Sequence, residues 1–77
     1  MHHQLTRKHY VCQIEGTGIY IYISAHTPQR AAIRTMGLSW DDGVAFRDMK
    51  DNDSSLWVVM STKKSDIVGR VSVVELL

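Results

Sequence analysis

Two stretches near the start of the chain alternate apolar and polar residues, which is the period of a β-strand with one buried face. In the stretch HYVCQIE the apolar side chains at every second position are Tyr10, Cys12 and Ile14. In the stretch IYIYIS they are Ile19, Ile21 and Ile23, and β-branched residues of this kind favour strands. The sequence therefore predicts two strands, each with one apolar stripe.

The residues EGTG between these stretches predict a hairpin. A two-residue loop of Gly16 and Thr17 suits a type II′ turn, which requires glycine at its first central position. Such a loop pairs the two apolar stripes with each other: Ile14 with Ile19, Cys12 with Ile21 and Tyr10 with Ile23. A shift of one residue would turn one stripe away from the core, so the pattern itself favours this register.

A helix is predicted after the second strand, because the apolar period changes there from two to three or four. Thr27 can cap the helix through its hydroxyl, and Pro28 suits the first helical position because it has no N–H to leave unpaired. Gly37 can adopt the left-handed conformation that ends a helix, with Leu38 folding back on Ile33. The apolar side of the helix comprises Ala32, Ile33 and Met36.

The second half of the chain predicts three more strands. Residues 44–50 and 56–61 are two apolar runs on either side of a polar turn, which favours a hairpin. A second helix that begins with Ser39 and Asp42 as a capping box is the alternative for the first run. The last strand follows a charged turn and covers residues 67–77, with Gly69 as the position of a bulge.

The resulting order is β-β-α-β-β-β, a single antiparallel sheet with one short helix packed on one face, and the fold class is α+β. The chain has 77 residues, so we expect one small domain over 1–77, of which residues 1–7 can be disordered. Its composition, 44% hydrophobic and 22% charged, is that of a globular protein. The core of so small a domain is thin, which makes a homodimer a serious alternative to a monomer.

Cysteine usage and the absence of long apolar runs predict the compartment. Cys12 has no second cysteine to pair with and lies in an apolar strand, so we expect a buried thiol in a reducing cytoplasm. The first residues lack the apolar segment of a signal peptide, and no later run approaches the roughly 20 residues of a membrane span. We therefore expect a cytoplasmic protein with no membrane contact.

The net charge of +1 hides an uneven distribution along the chain. Residues 1–34 contain four basic residues and one acidic residue, which gives a net charge of +3. Residues 35–53 contain two basic and five acidic residues, which gives −3, and the remaining residues contribute +1. The chain thus changes from basic to acidic, and the fold decides whether these become two surfaces.

The residue types that carry catalysis or bind metals occur without the required spacing. His9 and Cys12 would lie on opposite faces of their strand, which excludes them as neighbouring zinc ligands. Asp51 begins a stretch like a calcium loop, but Leu56 and Thr62 occupy its glycine and glutamate positions. No residue resembles an activated nucleophile or a paired acid and base. We therefore expect no metal, no cofactor and no enzymatic activity.

Three groups of residues remain as candidate binding residues. Tyr20 and Tyr22, on the face away from the helix, can form a platform for bases or for apolar residues of a partner. Alternatively these tyrosines simply cover an open sheet, or a second subunit buries them. Arg30 and Arg34, together with Arg7 and Lys8, can contact phosphates, although such a pair is more often only a solvated helix face.

The third group is acidic and comprises Asp41, Asp42 and Asp48. These carboxylates can imitate nucleic-acid phosphates and bind a basic groove on a protein. Aspartates are also common in solvated turns, which is the simpler explanation.

One resemblance adds to these patterns. The stretch SAHTPQRAAIR leaves a strand and opens a short helix, and DDGVAFRDMKDNDSSLWVVMS forms a hairpin with a tryptophan in its second strand. Over residues 20–61 this arrangement resembles that of small phage-encoded anti-CRISPR proteins, in which a single helix lies on an antiparallel sheet. The resemblance implies an inhibitor that occupies the basic DNA-binding surface of a type I CRISPR surveillance complex and so blocks target binding.

We therefore expect a small viral protein, encoded by a phage or mobile element, that binds a host defence complex in the host cytoplasm and blocks it sterically. One alternative is a nucleic-acid-binding protein that uses the aromatic sheet face and the basic helix face. Another is a structural homodimer that buries the tyrosine face against itself.

Overall fold

The computed structural model describes residues 6–47 and 55–77 and confirms the predicted α+β fold. Its elements in chain order are β1 (Lys8–Ile14), β2 (Tyr20–Ala25), α1 (Pro28–Thr35), β3 (Gly43–Phe46), β4 (Leu56–Ser61) and β5 (Asp66–Leu76). The five strands form one antiparallel sheet in the order β2-β1-β5-β4-β3. Within the described residues, no helix is long and apolar enough to cross a membrane.

The first hairpin has the predicted register but a different turn. Cys12 pairs with Ile21 and Tyr10 pairs with Ile23, as predicted. The N–H of Thr17 donates to the carbonyl oxygen of Ile14 at 3.1 Å, and Gly16 has a φ of 88°. Gly16 is therefore the second central residue of its turn, where a positive φ favours glycine, and the predicted loop of Gly16 and Thr17 is wrong.

The longer connection changes the position of one isoleucine. β2 begins at Tyr20, so Ile19 precedes the strand and is 64% exposed instead of continuing the apolar stripe. Ile23 does pack against the core. The buried stripe of β2 is therefore shorter than the sequence predicts.

Both predicted ends of α1 are confirmed. The hydroxyl oxygen of Thr27 accepts a hydrogen bond from the N–H of Arg30 at 3.2 Å, and Pro28 begins the helix. At the other end the N–H of Gly37 donates to the carbonyl oxygen of Arg34, and the N–H of Leu38 donates to that of Ile33. This pair of bonds is the Schellman motif, which the φ of 78° at Gly37 permits.

One face of the sheet packs against α1 and forms the core. Its fully or largely buried side chains come from the helix and from four of the strands: Tyr10, Cys12, Ala25, Ala31, Ala32, Ile33, Trp57, Val59, Val71 and Val73. Ile33 lies directly over Gly43 of β3, and Met36 lies over Gly69 of β5. The helix therefore reaches beyond the isoleucine stripe of β2 to the other half of the sheet.

The second hairpin confirms the strand and not the alternative helix. Residues 43–46 form β3, and a turn in which the N–H of Asp42 donates to the carbonyl oxygen of Ser39 stands where the capping box was considered. The part of this strand predicted for residues 48–50 lies outside the described residues. The predicted strand over 56–61 and the bulge near Gly69 are both confirmed, since the pairing between β4 and β5 shifts there.

Cys12 is fully buried, as predicted. Burial raises the pKa of its thiol, and the hydrogen bond with the side chain of Thr35 opposes this shift only in part. The thiolate is the reactive form of cysteine, so this residue acts as a small apolar side chain of the core.

Tyr10 places a hydroxyl in the core without a hydrogen-bond partner among the described residues. Burial is the main cause that raises the pKa of this hydroxyl, and Glu75 adds to it. Burying an unpaired polar group costs about 1–3 kcal/mol. We therefore expect Tyr10→Phe to raise the free energy of unfolding by about 1 kcal/mol, measured by urea denaturation. A loss of stability in Tyr10→Phe would show that the hydroxyl is paired in solution.

Candidate functional site

On the face of the sheet opposite α1, strands β2, β3 and β5 expose large apolar side chains. Seven of these side chains are at least 40% exposed: Tyr20, Tyr22, Val44, Phe46, Ile67, Val74 and Leu76. Strand pairing makes this surface continuous from β2 to β5, because Val11 of β1 lies between Tyr22 of β2 and Val74 of β5. Leu56 and Val58 of β4 lie on the same face but are buried. We call this surface the open sheet face.

Tyr20 and Tyr22 lie on the open sheet face, where the alternation of β2 predicts them. Tyr22 is 75% exposed, and its strand is at the edge of the sheet. Side chains from β3 and β5 extend the surface well beyond the two tyrosines. The sequence did not indicate these because the run VSVVELL is apolar on both faces of its strand.

Charged groups are scarce on the open sheet face. Arg70, which pairs with Val58, is the one charged residue at the strand positions that face this way within residues 6–47 and 55–77. The ion pair between Lys8 and Glu75, at 3.6 Å, lies on the helix side, because its residues share the face of Tyr10. Aromatic and apolar residues without carboxylates are typical of the centre of a protein interface.

The predicted arginines form a different site. The Nη1 atoms of Arg34 and Arg7 donate to the same carbonyl oxygen, that of Ser24, at 2.6 Å and 2.9 Å. The guanidinium of Arg30 lies 5.0 Å from the ring centroid of Trp40. Arg30, Arg34 and Arg7 thus line one cleft beside the end of β2, which we call the arginine cleft.

The arginine cleft and the tyrosines lie on opposite sides of β2. The cleft is on the side of α1, and Tyr20 and Tyr22 point away from it. Lys8, which the sequence grouped with Arg7, is instead paired with Glu75 and does not line the cleft. The tyrosines and the arginines therefore do not form one surface, and the two groups meet only around the edge strand.

Two of the three acidic candidates, Asp41 and Asp42, lie within the described residues, and their surroundings differ. Asp42 Oδ1 lies 3.7 Å from the Nζ of Lys63, and the carbonyl oxygen of Asp42 accepts a hydrogen bond from the N–H of Thr62 at 3.0 Å. Asp42 therefore joins two loops, while Asp41 is exposed. Asp48 lies outside the described residues.

Two residues that the sequence did not single out belong to the arginine cleft. Trp40, which is 61% exposed, and His26 both line it. The hydrophobic pattern is the same whether a tryptophan in a turn is buried or exposed, so it did not identify Trp40 as a surface residue. Histidine and acidic side chains within 6–47 and 55–77 form no group of three that could hold a metal ion.

Comparison with known proteins found no relative: no family model matches the sequence, and neither a curated protein nor a solved structure matches it.

Proposed function

We propose that this protein is a non-catalytic module that binds another protein through the open sheet face. The exposed apolar surface carries the proposal, since large apolar side chains of β2, β3 and β5 face solvent in a domain with one thin core. Contiguous apolar patches of this kind mark interaction sites on soluble proteins. Covering the patch with a partner removes this apolar area from water and stabilises the complex.

The chemistry of the open sheet face favours a protein partner over nucleic acid. Proteins that bind single strands combine stacking residues with a positively charged groove that follows the phosphates. The strand positions around Tyr22 and Val74 carry no such groove, and Arg70 is their one cation among the described residues. Tyrosine, phenylalanine and methionine next to apolar aliphatic residues instead resemble the centre of a protein interface.

The class of partner comes from the resemblance to small phage-encoded anti-CRISPR proteins. On this proposal the partner is a type I CRISPR surveillance complex of the host, and the protein blocks target DNA sterically. An exposed apolar sheet surface suits occlusion, because steric block requires affinity and bulk but no catalytic group. Of the acidic candidates within the described residues, Asp41 is exposed, and it is the carboxylate that can reach basic residues of the complex outside the open sheet face.

The test combines a variant of the open sheet face with a matched control. Tyr22→Glu with Val74→Glu places one charge on the edge strand and one on the central strand of this face, and desolvating them is costly in an apolar interface. Ile19→Glu with Gln29→Glu adds the same charge at exposed positions of a loop and of α1. Binding to a purified type I surveillance complex is measured by biolayer interferometry, with target DNA as competitor.

We expect the wild type to bind saturably and to exclude target DNA, and the Tyr22→Glu/Val74→Glu variant to bind at least tenfold more weakly than the control. Analytical ultracentrifugation over a range of protein concentrations measures whether the protein is a monomer or a homodimer. A wild-type dimer that this double variant dissociates would overturn the proposal in favour of a structural homodimer. Equal binding by both variants would exclude the open sheet face, and no binding to the complex would exclude this partner.

A further inference from the structure

The arginine cleft is a second concave site, separate from the open sheet face. It has a volume of about 380 Å³ and lies between the end of β2, the outer side of α1 and the turn that follows the helix. Ligand pockets of small molecules have volumes of roughly 300–1,000 Å³. The cleft is therefore large enough for a ligand of the size of a mononucleotide.

Three arginines line this cleft, and no described residue that lines it supplies a counter-charge. The lining residues, as far as the structure describes the chain, include Arg7, Arg30 and Arg34 and no carboxylate. Neither of the ion pairs formed by the described residues involves these arginines. Like charges held close together repel each other, so an anion placed between them is attracted by all three.

The positions of two of these arginines are fixed before any ligand arrives. Arg7 and Arg34 both donate to the carbonyl oxygen of Ser24, which holds their guanidinium groups next to each other at the edge of β2. Each guanidinium keeps further N–H groups in the plane of its fork, the geometry that pairs with phosphate oxygens. This arrangement lowers the entropy that binding an anion would otherwise cost.

An aromatic surface lies directly beside these charges. Trp40 is largely exposed, and Arg30 packs over its ring, so the indole is held at the mouth of the cleft. His26 also lines the cleft, and its buried Nδ1 has no hydrogen-bond partner among the described residues. Phosphate-binding arginines next to a stacking surface match a ligand that has both a phosphate and an aromatic base.

We infer that the arginine cleft binds a nucleotide unit, with the phosphate between Arg7, Arg30 and Arg34 and the base against Trp40. This chemistry has two sources, a free mononucleotide and one nucleotide of a single strand. The probes below distinguish these two sources.

The experiment uses three probes, inorganic phosphate, AMP and a single-stranded oligothymidylate of about ten nucleotides, which is within the range of known single-strand sites. Calorimetry at low salt gives the affinity of each probe for the full chain. The cleft variant Arg30→Gln/Arg34→Gln is compared with Arg47→Gln/Lys64→Gln, which changes the net charge equally but leaves the cleft intact.

Arg30→Gln alone provides a variant that keeps β2 in place, since both hydrogen bonds to Ser24 remain. Trp40→Ala removes only the stacking surface, so it distinguishes the contribution of the base to binding from that of the phosphate. Circular dichroism checks that each variant is folded.

We expect the double cleft variant to bind AMP at least tenfold more weakly than its control, and Arg30→Gln to weaken binding in the same direction. Trp40→Ala should weaken AMP roughly tenfold and leave inorganic phosphate unchanged, as expected where stacking contributes. An oligonucleotide that binds much more tightly than AMP identifies the single strand as the ligand, and equal affinities identify the mononucleotide. The inference is overturned if neither AMP nor the oligonucleotide saturates the protein, or if the cleft and control variants bind equally.

Discussion

Trp57→Ala is expected to lower the free energy of unfolding by about 3–5 kcal/mol, the usual cost of truncating a buried aromatic residue. Trp57 is 7% exposed and lies on the helix side of β4, where it pairs with Val71 of β5. The guanidinium of Arg47 covers its ring at 4.3 Å from the centroid. Native domains are stable by only about 5–15 kcal/mol, so this one change removes a large part of the margin.

The second tryptophan provides the matched control for this prediction. Trp40 has the same side chain but is 61% exposed, so Trp40→Ala removes little buried area. We expect it to cost less than about 1 kcal/mol, mainly through the lost contact with Arg30. Urea denaturation followed by far-ultraviolet circular dichroism measures both variants. Similar losses for Trp57→Ala and Trp40→Ala would mean that β4 is not part of the core.

The local elements of this fold follow from the sequence because local physics decides them. The alternation in β1 and β2 selects the register, since a shift by one residue would expose an apolar stripe. The ends of α1 are fixed by Thr27, Pro28 and Gly37, whose preferences come from the backbone itself. These features depend on residues only a few positions apart.

Features that depend on distant residues could not be predicted in this way. The central strand of the sheet is β5, the last in the chain, and its pairing with β1 joins residues at opposite ends of the sequence. The first turn was also ambiguous, because EGTG contains glycines at two positions and either can take the positive φ. The structure gives that conformation to Gly16 and not to Gly18.

The two surfaces also differ in whether nearby or distant residues determine them. The place of Tyr22 on the open sheet face follows from alternation within one strand. The arginine cleft instead requires Arg7, Arg34 and Trp40 to meet, and these residues belong to three separate segments. A pair of arginines one turn apart on a helix predicts only an exposed basic face, and the folded chain turns this pair into part of a concave site.

The hydrogen bonds at Ser24 connect the arginine cleft to the way this sheet ends. β2 is an edge strand, and an uncovered edge can pair with another chain. Two guanidinium groups on the carbonyl oxygen of Ser24 occupy this edge and place positive charge along it. The contact that prepares the cleft for an anion therefore also opposes edge-to-edge association, which favours recognition through the open sheet face instead.

The second large effect on stability is expected at Gly43, one of two glycines that pack under the helix. A Cβ atom on Gly43 would lie 2.8 Å from Cγ2 of Ile33 and 3.2 Å from Cδ1 of Leu38. Ile33 is buried and β-branched, and such a side chain has one strongly preferred rotamer in a helix. Gly43→Ala must therefore displace α1 or β3, and we expect a loss of about 1–3 kcal/mol in the free energy of unfolding.

Gly69→Ala tests whether the distance or the stiffness of the neighbour decides this cost. A Cβ atom on Gly69 would also lie 2.8 Å from its nearest atom, but that atom is the terminal Cε of Met36. Methionine is unbranched and can move aside, and replacing glycine by alanine gains about 0.4–1 kcal/mol by restricting the unfolded chain. We expect Gly69→Ala to stay within about 0.5 kcal/mol of the wild type by urea denaturation. Equal losses in Gly43→Ala and Gly69→Ala would show that the thioether is as tightly held as the isoleucine.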